Sequence, residues 1–573
     1  MLRFILLLFI SILSFQTTEA QLYPRYNLAG YPAKAPKSFV LMSDKAMDQN
    51  GWTIKSEEGK PLLSKAFGSS IAPAGAHTPK PFNYLIDFSS IRKPGKYLFL
   101  QDGQELFSFE IKNNPYQHLL PQMVGYLKSQ RSGVAVPPAQ KIGHSGDARC
   151  RVYQRQNNLN NRWEATPEEK HLDMAGGWYD AGDYLKFTLT TAYTTYFLLR
   201  AYEALPAIAS NSEIRKQLWE EAEWGLSYLL KTMPDDHTFI IQVGNAEDHK
   251  QGSRMPYDDA LNGKRHAYSA LSTPQMGLTA AALSLGAQLL SSQSGGRSQA
   301  AVYRTKATQI YRLATTVASA PTAWFEEGWE KFYSDQSGHD NMELAAVELY
   351  RTTQEEKYLE DAILYAGQAG AGWWSSWGNL NMVAHLRLHA YAPSQVERFL
   401  QQDLQNFQSI ARQHGNIWGL PHAYTWASLY SFLEVGSAAL QYAALDIANQ
   451  PFEKIASDVL DYTLGKNNWG VAMIASPDIS PSVQNIYTQK IQLHPEVHLP
   501  YGAIAEGPGD KKTHDELKDY FAIPDNHPFE AFNTNEVVFY DHSSDFQCME
   551  TTIGGLADAL YFFSLVHQKW EKP

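Results

Sequence analysis

At Asn113-Asn114-Pro115 the hydrophobic pattern of this chain changes period, and that change limits the fold more than any other feature. Before it, short runs of β-forming residues recur at 38–42, 83–88, 96–100 and 106–111. Turn signals such as Lys93-Pro94-Gly95 and Asp102-Gly103 separate them. Strands at this spacing predict a small antiparallel sandwich. After Pro115, apolar residues recur at helical spacing in about twelve segments, clearest at 116–130, 188–205, 212–233, 273–290, 303–318, 341–351, 355–370, 429–448, 452–464 and 546–567. No strand–helix alternation is visible there, which argues against a doubly wound sheet or a β/α barrel. Two domains follow, as 573 residues exceed one ordinary core. Two long polar stretches, 237–272 and 465–532, read as loops that build a functional rim.

Residues 1–20 read as a secretory signal. Arg3 supplies the positive end, 4–13 the apolar core, and Thr18-Glu19-Ala20 the small residues before a cut. The apolar run is too short to span a bilayer comfortably. The expected domains are a sandwich over 21–112 and a helical domain over 113–573, in a soluble, secreted or periplasmic monomer without a membrane anchor. The net charge of −12 argues against nucleic acid or an anionic membrane as partner. Cys150 and Cys548 are the two cysteines, and an oxidising compartment permits a bridge between them. They are too few for a Cys-rich zinc site, and no EF-hand spacing appears, so no metal ligands are assigned.

The run GGWYDAGDYLKF, residues 176–187, holds the densest chemistry. Asp180 and Asp183 stand three apart, across an Ala-Gly step and beside Trp178, Tyr179 and Tyr184. Gly176, Gly177 and Gly182 disfavour regular helix, so a turn is expected, with a helix from about Tyr184. One carboxylate of such a pair can take a proton from water while the other orients or tunes it. By spacing alone, Asp183 serves equally well as a helix N-cap and Asp180 as a turn residue.

GGWYDAGDYLKF closely resembles the signature of glycoside hydrolase family 9, the inverting cellulases and their relatives. IDFSSIRKPGKYLF, 86–99, resembles the immunoglobulin-like domain that precedes many of their catalytic modules. QVGNAEDHK (242–250), FYSDQSGHDNMELAAVELYRTT (332–353), LGKNNWG (464–470) and GAIAEGP (502–508, against Gly-Ala-Leu-Val-Gly-Gly-Pro) extend the likeness. The resemblance implies an immunoglobulin-like β-sandwich followed by an (α/α)6 barrel. It implies Asp183 as the general base and Asp180 as its helper. It places the general acid at Glu536, in NTNEVVFYDHSSDF (533–546). Asp541, close to Glu536 in the sequence and standing where the family usually has an aromatic, is the candidate for an anion near that acid.

Trp178, Tyr179, Trp374, Trp426 and Asp541 are the expected sugar contacts, and no cofactor is required, although the family often binds structural calcium. Two departures bear on substrate. The family's His-His-Arg element is missing from Ser480-Pro481-Ser482-Val483-Gln484-Asn485, with His494 and His498 nearby but out of pattern, and Ala531-Phe532 replaces Asp-Tyr. The expected activity is an inverting endo-β-1,4-glucanase. The alternatives are an exo-acting β-glucosidase or β-glucosaminidase on oligosaccharides, and a carbohydrate-binding protein with a decayed site.

Overall fold

The computed structural model describes residues 21–571 apart from 48–49, 137–138, 156–162, 166–169, 259–264, 318–332, 334, 336–337, 446–451 and 490–500. The expected signal segment and His494 and His498 lie outside the described residues.

The N-terminal domain is a β-sandwich. One sheet orders Leu22–Arg25, Ser38–Ser43 and Phe82–Asp87. The other orders Tyr31–Pro32, Gln104–Lys112, Gly95–Gln101, Gly51–Ser56 and Pro61–Ala66. Along Gln104–Lys112 the buried residues Phe107, Phe109 and Ile111 alternate with exposed or half-buried ones, the period of a strand with one face inward. Phe39 lies at the centre, edge-on to Phe99 at 4.9 Å and to Phe107 at 5.1 Å. Such edge-to-face packing adds about 0.5–1.5 kcal/mol per pair beyond burial.

The second domain is a closed double ring of twelve helices among the described residues. The inner ring is Thr188–Ala204, Thr273–Ser291, His339–Thr353, Asn381–Leu388, Ser428–Ala443 and Ile553–Trp570, each packed on the next and the last on the first. These helices are buried nearly all round, as a barrel wall with partners on every side must be. Small residues let them approach: a Cβ on Gly277 would meet the Asn341 backbone at 3.0 Å. The outer ring is Leu119–Ser129, Ser212–Leu229, Arg297–Ala314, Glu356–Ala369, Pro393–Ala411 and Glu453–Thr463. Its members bury one stripe; in Pro393–Ala411 that stripe includes Val396, Phe399, Leu400, Leu404 and Phe407. Inner and outer helices alternate along the chain, so all six inner helices point the same way, and their N-termini share one rim.

Three expectations change. The stretch 546–567 is two helices, Phe546–Met549 and Ile553–Trp570, with Glu550 in the break. The stretch 237–272 is not simply a loop. Its strands Ile240–Val243 and His266–Ser269 join Cys150–Arg155 and Lys186–Phe187 in a rim sheet. Because Lys186–Phe187 pairs there, the first inner helix starts at Thr188, and Asp183 caps no helix.

The domains are joined by polar contacts. Leu28 N–H donates to Leu464 O at 2.8 Å, Arg25 Nε to Asn468 O at 2.8 Å, and Asn27 Nδ2 to Asp461 Oδ1 at 3.0 Å. The segment LGKNNWG therefore docks the sandwich. Trp418 is also spent here: it is buried, and its indole donates to His77 O at 2.8 Å. Cys150 and Cys548 are both buried and unpaired, their thiols directed to Asp147 O and Val538 O respectively. Among the described residues, no helix is long and apolar enough to cross a membrane.

Candidate active site

The site gathers at the rim made by the inner-helix N-termini. Asp180 and Asp183 precede Thr188–Ala204, Tyr333 precedes His339–Thr353, and Trp374 and Trp377 precede Asn381–Leu388. Trp426 precedes Ser428–Ala443, and Glu550 precedes Ile553–Trp570. Helix N-termini favour negative charge, so this rim suits carboxylates better than the opposite one.

The Gly-rich turn is shaped by close approach. Gly176 and Gly177 have φ of 98° and 68°, the left-handed region where a side chain is strained. A Cβ on Gly182 would lie 2.7 Å from the Tyr487 ring and 2.9 Å from Glu550 Oε1. Asp180 is fixed from both sides of its backbone: its N–H donates to Leu185 O, and its carbonyl accepts from Ile553 N–H. The hydroxyls of Thr190 and Tyr333 donate to its carboxyl oxygens. Withdrawal from water, with Asp183 nearby, pushes the Asp180 carboxyl up to about 7 against those hydroxyls.

Asp183 is 8% exposed, so it retains a face toward the cleft. Its Oδ2 lies 2.6 Å from His249 Nδ1, and its Oδ1 accepts from Leu185 N–H at 3.3 Å. His249 belongs to the short helix Ala246–Lys250, whose N-cap Asn245 accepts from Asp248 N–H. Beneath it, Asp248 pairs with Arg254 and Arg265, while Asp147 takes Arg265 Nε at 2.8 Å and Lys186 Nζ at 2.6 Å. This buried ionic layer holds the rim sheet and the acid turn in one frame. His249 escaped the sequence reading as an individual residue, although QVGNAEDHK was noted.

The larger correction concerns the distant acid. Glu536 is exposed in the turn before Val537–Val538, where its carbonyl accepts from Lys511 N–H. The acid that meets the turn is Glu550, whose Oε1 accepts from Gly182 N–H at 2.8 Å. Its backbone is clamped as well: Glu506 N–H donates to Glu550 O at 3.0 Å, and Tyr487 N–H to Met549 O at 3.0 Å. Withdrawal from water and the neighbouring Asp183 push its carboxyl up to about 8, with the Gly182 N–H and His249 opposing. A local signal pointed here. Thr552 is a helix N-cap whose side chain accepts from Gly555 N–H. A helix start read at Thr552 puts Glu550 just outside an inner N-terminus, as Asp183 is.

The expected sugar contacts divide. Trp178 is fully buried with its indole on Glu221 at 3.3 Å, and Tyr179 is fully buried with its hydroxyl 2.9 Å from His144 Nδ1. Both are scaffold, because the turn folds its aromatics inward. Asp541 is a loop clamp: its carboxylate accepts from Asn485 N–H at 2.8 Å and Gln484 N–H at 3.0 Å. It is thereby committed to the segment where the His-His-Arg element is missing. Trp374 and Trp426 do reach the rim. Trp374 contacts Trp377 at 5.4 Å, Trp377 contacts Tyr333 at 5.0 Å, and Tyr333 holds Asp180. Trp426, 41% exposed, lies over Phe546 at 5.9 Å, and Phe546 contacts Tyr487 at 5.8 Å. Two aromatic walls thus lead to the carboxyls. Among the described residues, no group of three His, Cys, Asp or Glu is arranged to hold a metal ion.

Clustered carboxyls between aromatic walls, at one rim of a closed helical barrel, are the kind of arrangement in which glycoside hydrolases hold their paired acids. Sequence comparison makes the class specific. Residues 116–563 match glycosyl hydrolase family 9, and residues 25–105 match the cellulase N-terminal ig-like domain. The chain belongs to glycosyl hydrolase family 9.

It is 23% identical to Endoglucanase C of Cellulomonas fimi over 90% of this chain and 50% of that one. It is 24% identical to Endoglucanase A of Bacillus pumilus over 72% of this chain and 64% of that one. The chain therefore spans about half to two thirds of these curated relatives. Among solved structures, a single mutant of the thermostable endoglucanase from Alicyclobacillus acidocaldarius superposes with a TM-score of 0.75 at 19% identity, covering 94% of this chain and 98% of that one. A family 9 protein of Bacteroides ovatus superposes with a TM-score of 0.71 at 19% identity, covering 95% and 98%. At that identity the likeness is one of fold.

Proposed function

We propose that this protein is an inverting β-glucan hydrolase, an endo-β-1,4-glucanase exported to the periplasm or medium. The observation that carries the reading is the bond from Gly182 N–H to Glu550, which ties an acid 367 positions further along the chain (550 − 183) to the residue next to Asp183. Asp183 is the general base. Its Oδ2 is held by His249, and the remaining lone pairs accept a proton from water. Glu550 is the general acid in place of Glu536; a carboxyl pushed up to about 8 is protonated at neutral pH and can donate to the leaving oxygen. Asp180 is the helper, a carboxyl pushed up to about 7 that stiffens the turn and accepts the Thr190 and Tyr333 hydroxyls. No step calls for a metal. The names of the relatives support a glucan substrate.

One observation favours a second reading, exo-cleavage of short β-glucosides or β-glucosaminides. Residues 480–485 lack the His-His-Arg element that the family pattern places near the cut, so the grip on a long glucan is altered. Digestion of cellohexaose and of a chitosan hexamer, with products followed by chromatography and proton NMR, decides between them. Mixed internal cuts of cellohexaose with the α-anomer appearing first support the first reading. Release of monomer alone supports the second, and initial β-anomer overturns inversion.

A further inference from the structure

Glu506 is 3% exposed, in a segment that the catalytic assignment leaves without a role. Its side chain and backbone serve different partners. Oε2 accepts from Trp426 Nε1 at 2.5 Å. Its N–H donates to the carbonyl of Glu550, and its carbonyl accepts from Leu429 N–H at 3.2 Å. The residue therefore ties the proposed acid to a half-exposed indole. Trp426 is held from its own side too. Ala427, the next residue, has φ 56° and ψ 30°, a left-handed conformation that a non-glycine residue adopts only where its surroundings enforce it. That turn swings the indole away from Ser428–Ala443 and toward Glu506, with one face over Phe546. An exposed tryptophan without such a tether would sample several rotamers.

We infer that Glu506 is a positioning residue which pins the Trp426 indole edge-on, fixing that ring as a rigid sugar-binding wall beside the acid Glu550. The inference rests on the glycosidase reading of this site. Glu506 acts through an accepted hydrogen bond, so it requires an oxygen rather than a charge. Withdrawal from water and the neighbouring Glu550 both favour the neutral form of its carboxyl, and an amide oxygen offers the same acceptor.

The test uses the full-length protein with Glu506→Gln, Glu506→Ala, Trp426→Phe and the double variant Glu506→Ala/Trp426→Phe. Trp426→Phe keeps a ring and loses the N–H. Steady-state kinetics on the best soluble oligosaccharide are expected to show KM raised about five- to tenfold by Glu506→Ala and by Trp426→Phe, with kcat within about threefold. Glu506→Gln is expected to stay within about twofold of wild type, and the double variant to be no worse than the worse single one. The inference is overturned if Gln is as damaging as Ala, if the two effects multiply, or if kcat falls with KM unchanged.

A second readout does not depend on turnover. The indole N–H resonance of Trp426, assigned by its loss in Trp426→Phe, should move upfield in Glu506→Ala and remain near its place in Glu506→Gln. A resonance unmoved by Glu506→Ala also overturns the inference, even if wild type cleaves no glucan and the glycosidase reading itself has failed. If Glu506→Ala does not fold, the inference is overturned by a Glu506→Gln variant whose KM rises as far as that of Trp426→Phe or whose Trp426 indole resonance moves, and supported if Gln leaves both near wild type while Trp426→Phe raises KM.

Discussion

The turn that bears Asp183 and the break that bears Glu550 reach the same place by opposite means. Asp183 is presented by a contiguous run of glycines and aromatics, in which Gly176, Gly177 and Gly182 each occupy a position that a side chain would strain or crowd. Glu550 has no such run around it. It is presented by an interruption between Phe546–Met549 and Ile553–Trp570, and its side chain finds its partner only when the barrel closes the last helix onto the first. The lesson is that a carboxyl presented by local backbone geometry can be read from a string, whereas one presented by ring closure cannot.

The electrostatics differ in the same way. The Asp183 side is built over an ionic layer of Asp147, Asp248, Arg254, Arg265 and Lys186, and His249 faces the carboxylate. The Glu550 side faces carboxyls, Asp183 and Asp180, with Glu506 packed against its backbone. One acid therefore has a partner for its charge and the other has mainly reasons to stay neutral. That is the division of labour a base and an acid require.

The largest expected effect breaks both halves at once. Asp183→Asn and Glu550→Gln should each lower kcat by about a thousandfold or more, since each removes one proton-transfer group from a concerted step. Circular dichroism should be unchanged, as both replacements are near-isosteric. Reducing-sugar release from a soluble glucan measures the loss. A Glu550→Gln variant that keeps a tenth of wild-type activity would remove Glu550 from the acid role.

A smaller effect sharpens the electrostatic contrast. With Glu550 pushed up to about 8, the alkaline limb of kcat/KM should fall near pH 8, where the acid loses its proton. Stability should follow the same group. Its folded value exceeds the ordinary carboxylate value, so the folded chain binds that proton more tightly than the unfolded chain. The resulting stabilisation is complete below the unfolded value, near pH 4.5, and is lost as pH rises through 8. Asp180, pushed up to about 7, adds to the decline in the same direction. The midpoint of thermal unfolding should therefore drop between about pH 5 and 8 in wild type and drop less in Glu550→Gln. Equal slopes in the two proteins would mean that Glu550 is not held neutral.

Legibility in the sequence followed this physics. The period change at Asn113-Asn114-Pro115 separated sandwich from barrel, because strand and helix patterns differ residue by residue. Of about twelve helical segments, ten had clear bounds in the sequence; Asn381–Leu388 and Pro393–Ala411 were not among them, the first being short and mostly buried, with no amphipathic stripe to show. The rim strands Ile240–Val243 and His266–Ser269 were hidden inside a polar stretch, since their pairing partners are remote and their length is only four residues each. Trp178 and Tyr179 looked like sugar contacts because an aromatic beside an acid carries no mark of which way it faces. In the structure both are buried, Trp178 against Glu221 of Ser212–Leu229 and Tyr179 against His144.

The smallest expected effect is the most discriminating for that history. Glu536 and Glu550 lie 14 residues apart (550 − 536) in one C-terminal stretch, and the family pattern drew attention to the first. Glu536 is exposed, and its backbone rather than its side chain is used, through the carbonyl that accepts from Lys511. A surface carboxylate with that role should tolerate replacement within about ±0.5 kcal/mol of stability. Glu536→Gln should accordingly keep kcat and KM within about twofold of wild type on the same glucan that exposes the loss in Glu550→Gln. A thousandfold loss at Glu536 with Glu550→Gln active would reverse the assignment. It would also require the strand Val537–Val538 to leave Gly509–Asp510, because that pairing holds Glu536 in its exposed turn.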